Sequence, residues 1–232
     1  MIFREYKALP SRFNNFWKEK KMTKDDYTIR PEREEDFREV ENLTREAFWN
    51  VYAPGCTEHY VLHCYRPKED FVRELDLVME KDGIIIGHIM YVRSHILSID
   101  GRIVPTMTFG PISIAPAHKR RGYGKILLDY SIEKAKEMGT GALAITGNIA
   151  FYGKSGFVAA KTKGITYQLD PDGDYFLIKE LVPGYLNGIS GTFKDPDGYT
   201  VNDADFEEYD KQFPPKQKLR LPGQLVPIEH KE

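Results

Sequence analysis

Residues 112–139 read ISIAPAHKRRGYGKILLDYSIEKAKEMG, the most informative part of the sequence. A strand-like apolar run precedes the basic loop Lys119–Lys125, which contains Gly122 and Gly124, and a run with apolar residues at helical spacing follows it. The first amides of a helix lack acceptors within the helix, and the helix dipole adds partial positive charge there. Because glycine lets an anion approach the backbone, this pattern predicts a phosphate site between a strand and a helix.

Two common phosphate-binding loops do not fit this pattern. The GxxxxGK[ST] loop of nucleoside triphosphatases fails because Ile126 follows Lys125 and Lys119 stands where the first glycine is needed. The GxGxxG dinucleotide loop fails because Leu127 takes the third glycine position and the unit lies in the middle of the chain. A solvated basic helix start without a ligand remains the structural alternative.

The third pattern is [Q/R]-x-x-G-x-[G/A], the pyrophosphate loop of the GNAT superfamily of acyl-CoA-dependent N-acyltransferases, which KRRGYG at 119–124 resembles. Lys119 stands where that family usually has Gln or Arg, a change that keeps the charge but loses a planar donor. The resemblance implies that acetyl-CoA contacts this loop and the backbone of the preceding strand. The residues so implied are Ile112, Ser113, Ile114, Lys119, Arg120, Arg121, Gly122, Tyr123, Gly124 and Lys125.

Gly110–Pro111 interrupts the apolar strand TMTFGPISI at 106–114. Proline has no N–H for a sheet hydrogen bond, so we expect a bulge or a splay at this point. The resemblance implies the same feature, because in GNAT proteins this strand separates from its neighbour and its amides bind the pantetheine arm. An ordinary buried strand is the alternative.

The segment NIAFYGKSGF at 148–157 resembles the Asn and the Y-x-x-x-G-F that GNAT proteins carry after the next strand. The resemblance implies that Asn148 belongs to the cofactor site and that the Tyr152 hydroxyl lies near the thioester sulfur. A phenol with a reference pKa near 10 can protonate a departing thiolate, so Tyr152 is the predicted general acid. The alternative is a core aromatic packed beside Phe151 and Phe157.

Two longer segments are similar to a GNAT subgroup of predicted acetyltransferases. LAITGNIAFYGKSGF at 143–157 matches its GDPAYY-RFGF-like segment, with Gly-Asn-Ile in place of Gly-Asp-Pro. ELVPGYLNGISGTF at 180–193 matches its ELxPGALxGxSGT-like C-terminal segment. We therefore predict an N-terminal extension at 1–21, a GNAT domain at 22–193, and a C-terminal extension at 194–232 that packs on the domain.

The composition excludes several classes of protein. The chain has 232 residues and a formal net charge of −2, which argues against general nucleic-acid binding. No apolar run approaches the roughly 20 residues of a membrane span, so no membrane partner is expected. Cys56 and Cys64 are the only cysteines, which favours a reducing, cytoplasmic location.

The sequence also contains two groups of possible metal ligands. Cys56, His59, His63 and Cys64 form a C-x-x-H-x-x-x-H-C pattern, but the adjacent His63 and Cys64 point in different directions. The segment Asp170–Asp174 has several aspartates, but its glycine is not at the position that a calcium loop requires and no glutamate closes the loop. These residues therefore indicate a turn. We expect no metal.

The acceptor side of the site is less well defined. No carboxylate lies in TMTFGPISI, so the general base is unassigned, with Glu46, Glu58, His59, His63 and His88 as candidates. Phe48, Trp49 and Phe109 are predicted walls of the acceptor pocket, and core packing is the alternative for each.

Together these features predict an α/β (α+β) chain with the GNAT fold. Its sheet should be central, mixed and mostly antiparallel, with a splay between two central strands and helices on its faces. The resemblance implies an N-acetyltransferase that moves an acetyl group from acetyl-CoA to a primary amine of a small molecule or peptide, by direct attack in a ternary complex. The alternative is a GNAT-fold protein that binds or senses acyl-CoA with little or no transfer. A homodimer is left open.

Overall fold

A computed structural model describes residues 27–224, so the predicted extension at 1–21 lies outside the described residues. The strands are β1 Tyr27–Pro31, β2 Leu77–Lys81, β3 Ile84–Ser98, β4 Ile103–Ile114, β5 Ala142–Thr146, β6 Val158–Ala159, β7 Ile165–Tyr167, β8 Phe176–Glu180 and β9 Gly191–Lys194. The helices are α1 Phe37–Phe48, α2 Glu58–Tyr65, α3 Tyr123–Glu137, α4 Ile149–Tyr152 and α5 Asp203–Asp210. Within this range no helix has both the length and the apolar character of a membrane span.

The strands form one mixed, mostly antiparallel sheet in the order β1-β2-β3-β4-β5-β8-β6. Strand β9 pairs with β3 and β7, and the β4–β5 and β7–β9 pairs are parallel. This sheet, with helices on its faces, confirms the predicted fold class. Strand β9 was not predicted, because the turn-forming residues around it obscure its short apolar pattern.

The predicted irregularity at Gly110–Pro111 is a bulge in β4. Ile112 pairs with Ile89 and Phe109 pairs with Tyr91, so two residues of β4 lie opposite one residue of β3. On its other side β4 pairs with β5 only at Met107 and Thr108, although both strands continue further. Strands β4 and β5 therefore separate just beyond Thr108, and this gap is called the splay below.

Two hydrophobic clusters fix the sheet between its helices. Helix α3 places Leu127, Leu128 and Ile132 on one face, where they pack in a cluster with strand residues such as Ile89. Helices α1 and α2 cover the opposite face through a second cluster that includes Val40, Leu43, Leu62, Val78 and Met90. Full burial of each such side chain contributes about 1.5–3 kcal/mol, so both helix layers are firmly attached to the sheet.

The segment after β9 packs on α1 and α2. Phe206, Tyr209 and Phe213 are buried. The Arg45 side chain on α1 is 1% exposed and its Nε lies 2.7 Å from a carboxylate oxygen of Asp210 on α5. These contacts attach residues 203–213 to the helices, whereas the domain division at residue 193 stays a prediction.

A buried charge network links the edge of the sheet to α2. Arg66 donates to both carboxylate oxygens of Glu32, at 3.0 and 2.9 Å, and also to Glu41. His88 Nε2 lies 2.7 Å from an Asp76 carboxylate oxygen, and its Nδ1 has no partner among the described residues. Burial raises the pKa of Glu32 to about 8 and that of Asp76 to about 6, and it lowers the pKa of His88 to about 4.

We expect this network to make stability fall as the pH rises from 7 to 8. The folded protein holds the Glu32 proton more tightly than the unfolded chain, so the stabilisation present at low pH is lost as the pH rises through about 8. The histidines with lowered pKa values have lost their protons in both states across most of this interval. Urea unfolding should show a loss of about 1 kcal/mol between pH 7 and 8. Glu32→Gln should remove this slope, and an equal slope in the variant would contradict the assignment.

Candidate active site

The loop before α3 leaves the amides of the helix N-terminus open. Gly122 is the N-cap residue with φ 90°, and Arg120 is also left-handed with φ 60°. No side chain caps this end of the 15-residue helix, so its first amides keep their capacity to bind an anion. An added Cβ at Gly122 would meet nothing within 4 Å, so the loop backbone at this point is accessible.

The four basic side chains of the loop have different surroundings. Arg120 and Arg121 are exposed and have no ion-pair partner within residues 27–224. Lys119 Nζ donates to the Ala47 carbonyl at the end of α1, at 2.6 Å, and burial lowers its pKa. Lys125 forms an ion pair with Asp129 one turn along α3. The two arginines are therefore the cations most available to a pyrophosphate, and Lys119 instead links the loop to α1.

The residues of β4 beyond the bulge point alternately to the two faces of the sheet. Ser113 is 1% exposed and its hydroxyl lies 2.8 Å from that of Thr44 on α1. Ile112 and Ile114 pack against the cluster on the α3 side. An added Cβ at Gly124 would lie 3.6 Å from Ile114, so the loop and the end of β4 are neighbours. The structure thus brings the predicted strand and loop residues together on one edge of the splay.

Tyr152 lies at the end of α4, on the other side of the splay. Asn148 caps α4 through a 2.8 Å hydrogen bond from the Ala150 amide to its side-chain oxygen. The Tyr152 ring packs against Phe109, Phe151 and Phe157, at centroid distances of 5.8, 4.9 and 5.8 Å. Burial raises the pKa of Tyr152, so the phenol stays protonated at neutral pH.

Gly147 makes room for the Tyr152 ring. A Cβ added to Gly147 would lie 2.2 Å from a ring carbon of Tyr152, far inside van der Waals contact. The glycine that precedes Asn148 therefore sets the position of the predicted general acid. The sequence resemblance included this glycine but gave no reason for it.

The three predicted acceptor-pocket walls have different surroundings. Phe109 is 1% exposed and belongs to the α3-side core, although its ring contacts Tyr152. Trp49 Nε1 donates to the Gln217 carbonyl at 3.0 Å, so Trp49 contacts the C-terminal segment. The Phe48 ring packs near Tyr52, at 6.0 Å. Of the three, Phe109 is the one in contact with Tyr152.

Most of the candidate bases have partners elsewhere in the structure. Lys216 donates to Glu46 at 2.8 Å, His59 Nε2 lies 2.9 Å from Asp210, and His63 Nδ1 lies 3.4 Å from Glu41. His88 belongs to the buried network beside Asp76. Glu58 is half-buried, its carboxylate accepts the Thr57 amide at 3.0 Å, and burial raises its pKa.

The cysteine and histidine pattern of α2 does not converge on one point. Cys56 Sγ lies 3.7 Å from His59 Nδ1, while His63 faces Glu41 and both cysteines are free thiols. Within residues 27–224, one group of three potential ligands has its atoms within 4.8 Å of one another, namely Glu32, Asp76 and His88. Arg66 and the His88–Asp76 hydrogen bond already engage these groups.

A group of polar side chains on the α1 and α2 side of the splay was not predicted from the sequence. The Tyr199 hydroxyl donates to the Gly110 carbonyl at 2.9 Å, which places the C-terminal segment at the bulge itself. Nearby, the Tyr167 hydroxyl donates to Asp195. Asp195 and Tyr199 belong to KDPDGY at 194–199, where the turn-forming residues gave no signal beyond the turn.

An opening in a mixed sheet beside an uncapped, arginine-flanked helix N-terminus is the arrangement expected of an acyl-CoA-dependent acyltransferase. The chain belongs to the acetyltransferase (GNAT) family, whose pattern matches residues 34–157, just over half of its length. None of the curated proteins matches the chain.

Solved structures support the same fold. A GNAT family N-acetyltransferase from Escherichia coli, YhbS, in complex with CoA has a TM-score of 0.67 and 19% identity, over 77% of this chain and 94% of that one. A GNAT family acetyltransferase from Brucella melitensis in complex with acetyl-CoA has a TM-score of 0.62 and 22% identity, over 76% of this chain and 100% of that one. At these identities the likeness shows the fold.

Proposed function

We propose that the protein transfers an acetyl group from acetyl-CoA to a primary amine of a small molecule or peptide. The observation that carries this proposal is the splay, which lies between the open N-terminus of α3 and Tyr152. The similar E. coli and B. melitensis structures contain CoA and acetyl-CoA, which supports the choice of cofactor. The matches to the subgroup segments at 143–157 and 180–193 support a place in that subgroup.

In the proposed complex the pyrophosphate binds at the α3 N-terminus. The amides of Gly122 to Lys125 supply hydrogen bonds, and Arg120 and Arg121 supply charge. The backbone of Ile112 to Ile114 binds the pantetheine arm, and an amide of this strand stabilises the oxyanion that develops on the acetyl carbonyl. Asn148 acts by capping α4 and so holding Tyr152 in place.

The proposed reaction is direct attack of the amine on the thioester. A C–N bond forms, the C–S bond breaks, and Tyr152 protonates the departing thiolate. Before the C–S bond has broken, the phenol donates a hydrogen bond to sulfur that strengthens as negative charge develops there. Holding both substrates in the splay supplies much of the remaining acceleration.

Binding of acetyl-CoA is the first test of this function. Isothermal titration calorimetry should show acetyl-CoA binding that weakens by about tenfold in the variant with Arg120→Ala and Arg121→Ala. The charge-matched control carries Lys194→Ala on β9 and Lys211→Ala just after α5, both at exposed side chains, and should bind acetyl-CoA normally. No binding at millimolar acetyl-CoA would reject the proposal.

Transfer itself is tested with a panel of amines, amino acids and peptides, with detection of the free CoA thiol. Acetyl-CoA binding without thiol release above the uncatalysed rate for any amine would favour a binding or sensing protein instead. Release that depends on one class of amine would identify the acceptor class.

We also expect Gly147→Ala to impair the proposed reaction. The new Cβ would overlap the Tyr152 ring, so the ring must move away from its packed position. The rate of thiol release should fall by roughly tenfold while acetyl-CoA affinity stays within about twofold. Gly153→Ala is the matched control, because its Cβ would have an ordinary 3.4 Å contact with Ile149. Equal activity of the two variants would contradict the role given to Gly147.

A further inference from the structure

We propose that the carboxylate of Asp195, held by Tyr167 on the α1 and α2 side of the splay, binds the ammonium group of the acceptor and is the first acceptor of its proton. This inference rests on the proposed acetyl transfer and names the group that the β4 sequence lacks. It also defines the acceptor as a cation before reaction.

The sheet register places Thr146, a neighbour of Tyr167, at the level of the splay. Ala144 on β5 pairs with Thr108 on β4 in parallel, so Thr146 lies level with Gly110. The Tyr167 hydroxyl donates to Asp195, and Thr146 is close enough to lower the pKa of Tyr167, which burial and Asp195 raise. Asp195 and Thr146 are thus both neighbours of one phenol oxygen beside the gap.

A second set of contacts leads from Asp195 to the bulge in β4. The Tyr65 hydroxyl donates to the carbonyl of Pro196, the residue after Asp195, at 3.2 Å. The Tyr65 and Tyr199 rings are in edge contact at 4.8 Å, and the Tyr199 hydroxyl donates to the Gly110 carbonyl. Two independent routes therefore connect Asp195 to the same opening, through Tyr167 to β5 and through Tyr65 and Tyr199 to β4.

The charge at Asp195 is not neutralised by a neighbouring cation. Asp195 is half-buried, and no lysine, arginine or histidine within residues 27–224 forms an ion pair with it. Its nearest hydrogen-bond partner is a phenol, which donates one proton and leaves the other carboxylate oxygen available. Asp70 also acts electrostatically on Tyr65 and Tyr199, so a second carboxylate contributes negative charge near these rings. A compact primary ammonium is the complementary ligand.

The position of Asp195 suits the geometry of the proposed reaction. Tyr199 packs with the cluster under α1 and α2, whereas Ile112 and Ile114 pack toward α3, so the two substrates approach the splay from opposite faces. The ammonium gives one proton to Asp195, and the neutral nitrogen then forms the C–N bond as the C–S bond breaks. The thiolate takes its proton from Tyr152. Tyr152 is reprotonated by the second proton, which the nitrogen loses as the amide forms, and Asp195 returns the first proton to water. The products are therefore the amide, the CoA thiol and one free proton.

Two coenzyme A analogues test the ammonium site without knowledge of the natural acceptor. S-(2-aminoethyl)-CoA carries a primary ammonium just beyond the sulfur, and S-propyl-CoA carries a methyl group in its place. Isothermal titration calorimetry at pH 7 should show that the wild-type protein prefers the aminoethyl compound by about tenfold. Asp195→Asn should abolish this preference and leave S-propyl-CoA binding unchanged. Asp197→Asn, which alters an exposed carboxylate two residues along, should keep the preference.

The outcomes separate this inference from the proposed function. If the wild-type protein binds neither analogue, the coenzyme A site itself is rejected. If it binds both equally, or if Asp195→Asn keeps the preference, the coenzyme A site stands and the ammonium site is overturned. If Asp195→Asn fails to bind S-propyl-CoA, the same two analogues are measured with Tyr167→Phe. This variant removes the hydrogen bond that positions the Asp195 carboxylate, so the preference for the aminoethyl compound should fall by roughly threefold. An unchanged preference in Tyr167→Phe would then overturn the assignment.

Discussion

Tyr152→Phe should lower kcat for acetyl transfer by roughly 100-fold and change the affinity for acetyl-CoA by less than about twofold. The substitution removes only the hydroxyl, while the ring contacts with Phe109, Phe151 and Phe157 are kept. The phenol interacts with sulfur mainly as the thiolate forms, so its loss affects the transition state rather than the bound cofactor. Steady-state kinetics and calorimetry with acetyl-CoA separate the two quantities.

The matched control for this prediction is Tyr175→Phe. Tyr175 is 56% exposed, and its hydroxyl has no partner within residues 27–224. Its activity should stay within about twofold of the wild-type value, as expected for an exposed substitution. Unchanged turnover in Tyr152→Phe would remove Tyr152 from the mechanism, and a parallel loss of affinity would assign it to cofactor binding.

Asp210→Ala should destabilise the protein by about 3 kcal/mol, because it leaves the buried Arg45 guanidinium without its carboxylate. Asp210 accepts two hydrogen bonds from Arg45, at 2.7 and 3.0 Å, and a third contact from His59 at 2.9 Å. The pKa of Asp210 is lowered by Arg45 and His59 despite its burial. For a protein of this size the expected fall in Tm is roughly 10 °C.

Glu207→Ala is the control for Asp210→Ala. It lies on the same helix with an exposed side chain, and its stability change should be within about 0.5 kcal/mol. Thermal unfolding by circular dichroism measures both variants. Equal Tm values would show that the Arg45–Asp210 pair contributes little, and that α5 is held by its aromatic residues alone.

The sequence predicted the part of the fold that is encoded locally. The strand, loop and helix from Ile112 to Gly139 follow from apolar spacing and from glycines at the helix start, and the Gly110–Pro111 bulge follows from a missing N–H. These features depend on residues close together in the chain.

The proposed acceptor side was not predictable in this way, because its contacts join distant parts of the chain. Tyr199 is 89 residues from Gly110, and Tyr167 is 28 residues from Asp195. Neither pair leaves a periodic pattern in the sequence. Phe109 and Trp49 show the converse difficulty, since an aromatic side chain gives the same sequence signal in a pocket, in the core, or under a C-terminal segment.

The hydrogen bond from Tyr199 to Gly110 has a consequence for the order in which the protein is made. Synthesis proceeds from the N-terminus, so the central strand and the phosphate loop leave the ribosome well before the residue that anchors the bulge. The C-terminal end of strand β3 likewise pairs with β9, which is synthesised much later. A nascent chain that stops short of residue 199 would contain β4, the bulge and the loop before α3, and would lack the hydrogen bond that anchors the bulge.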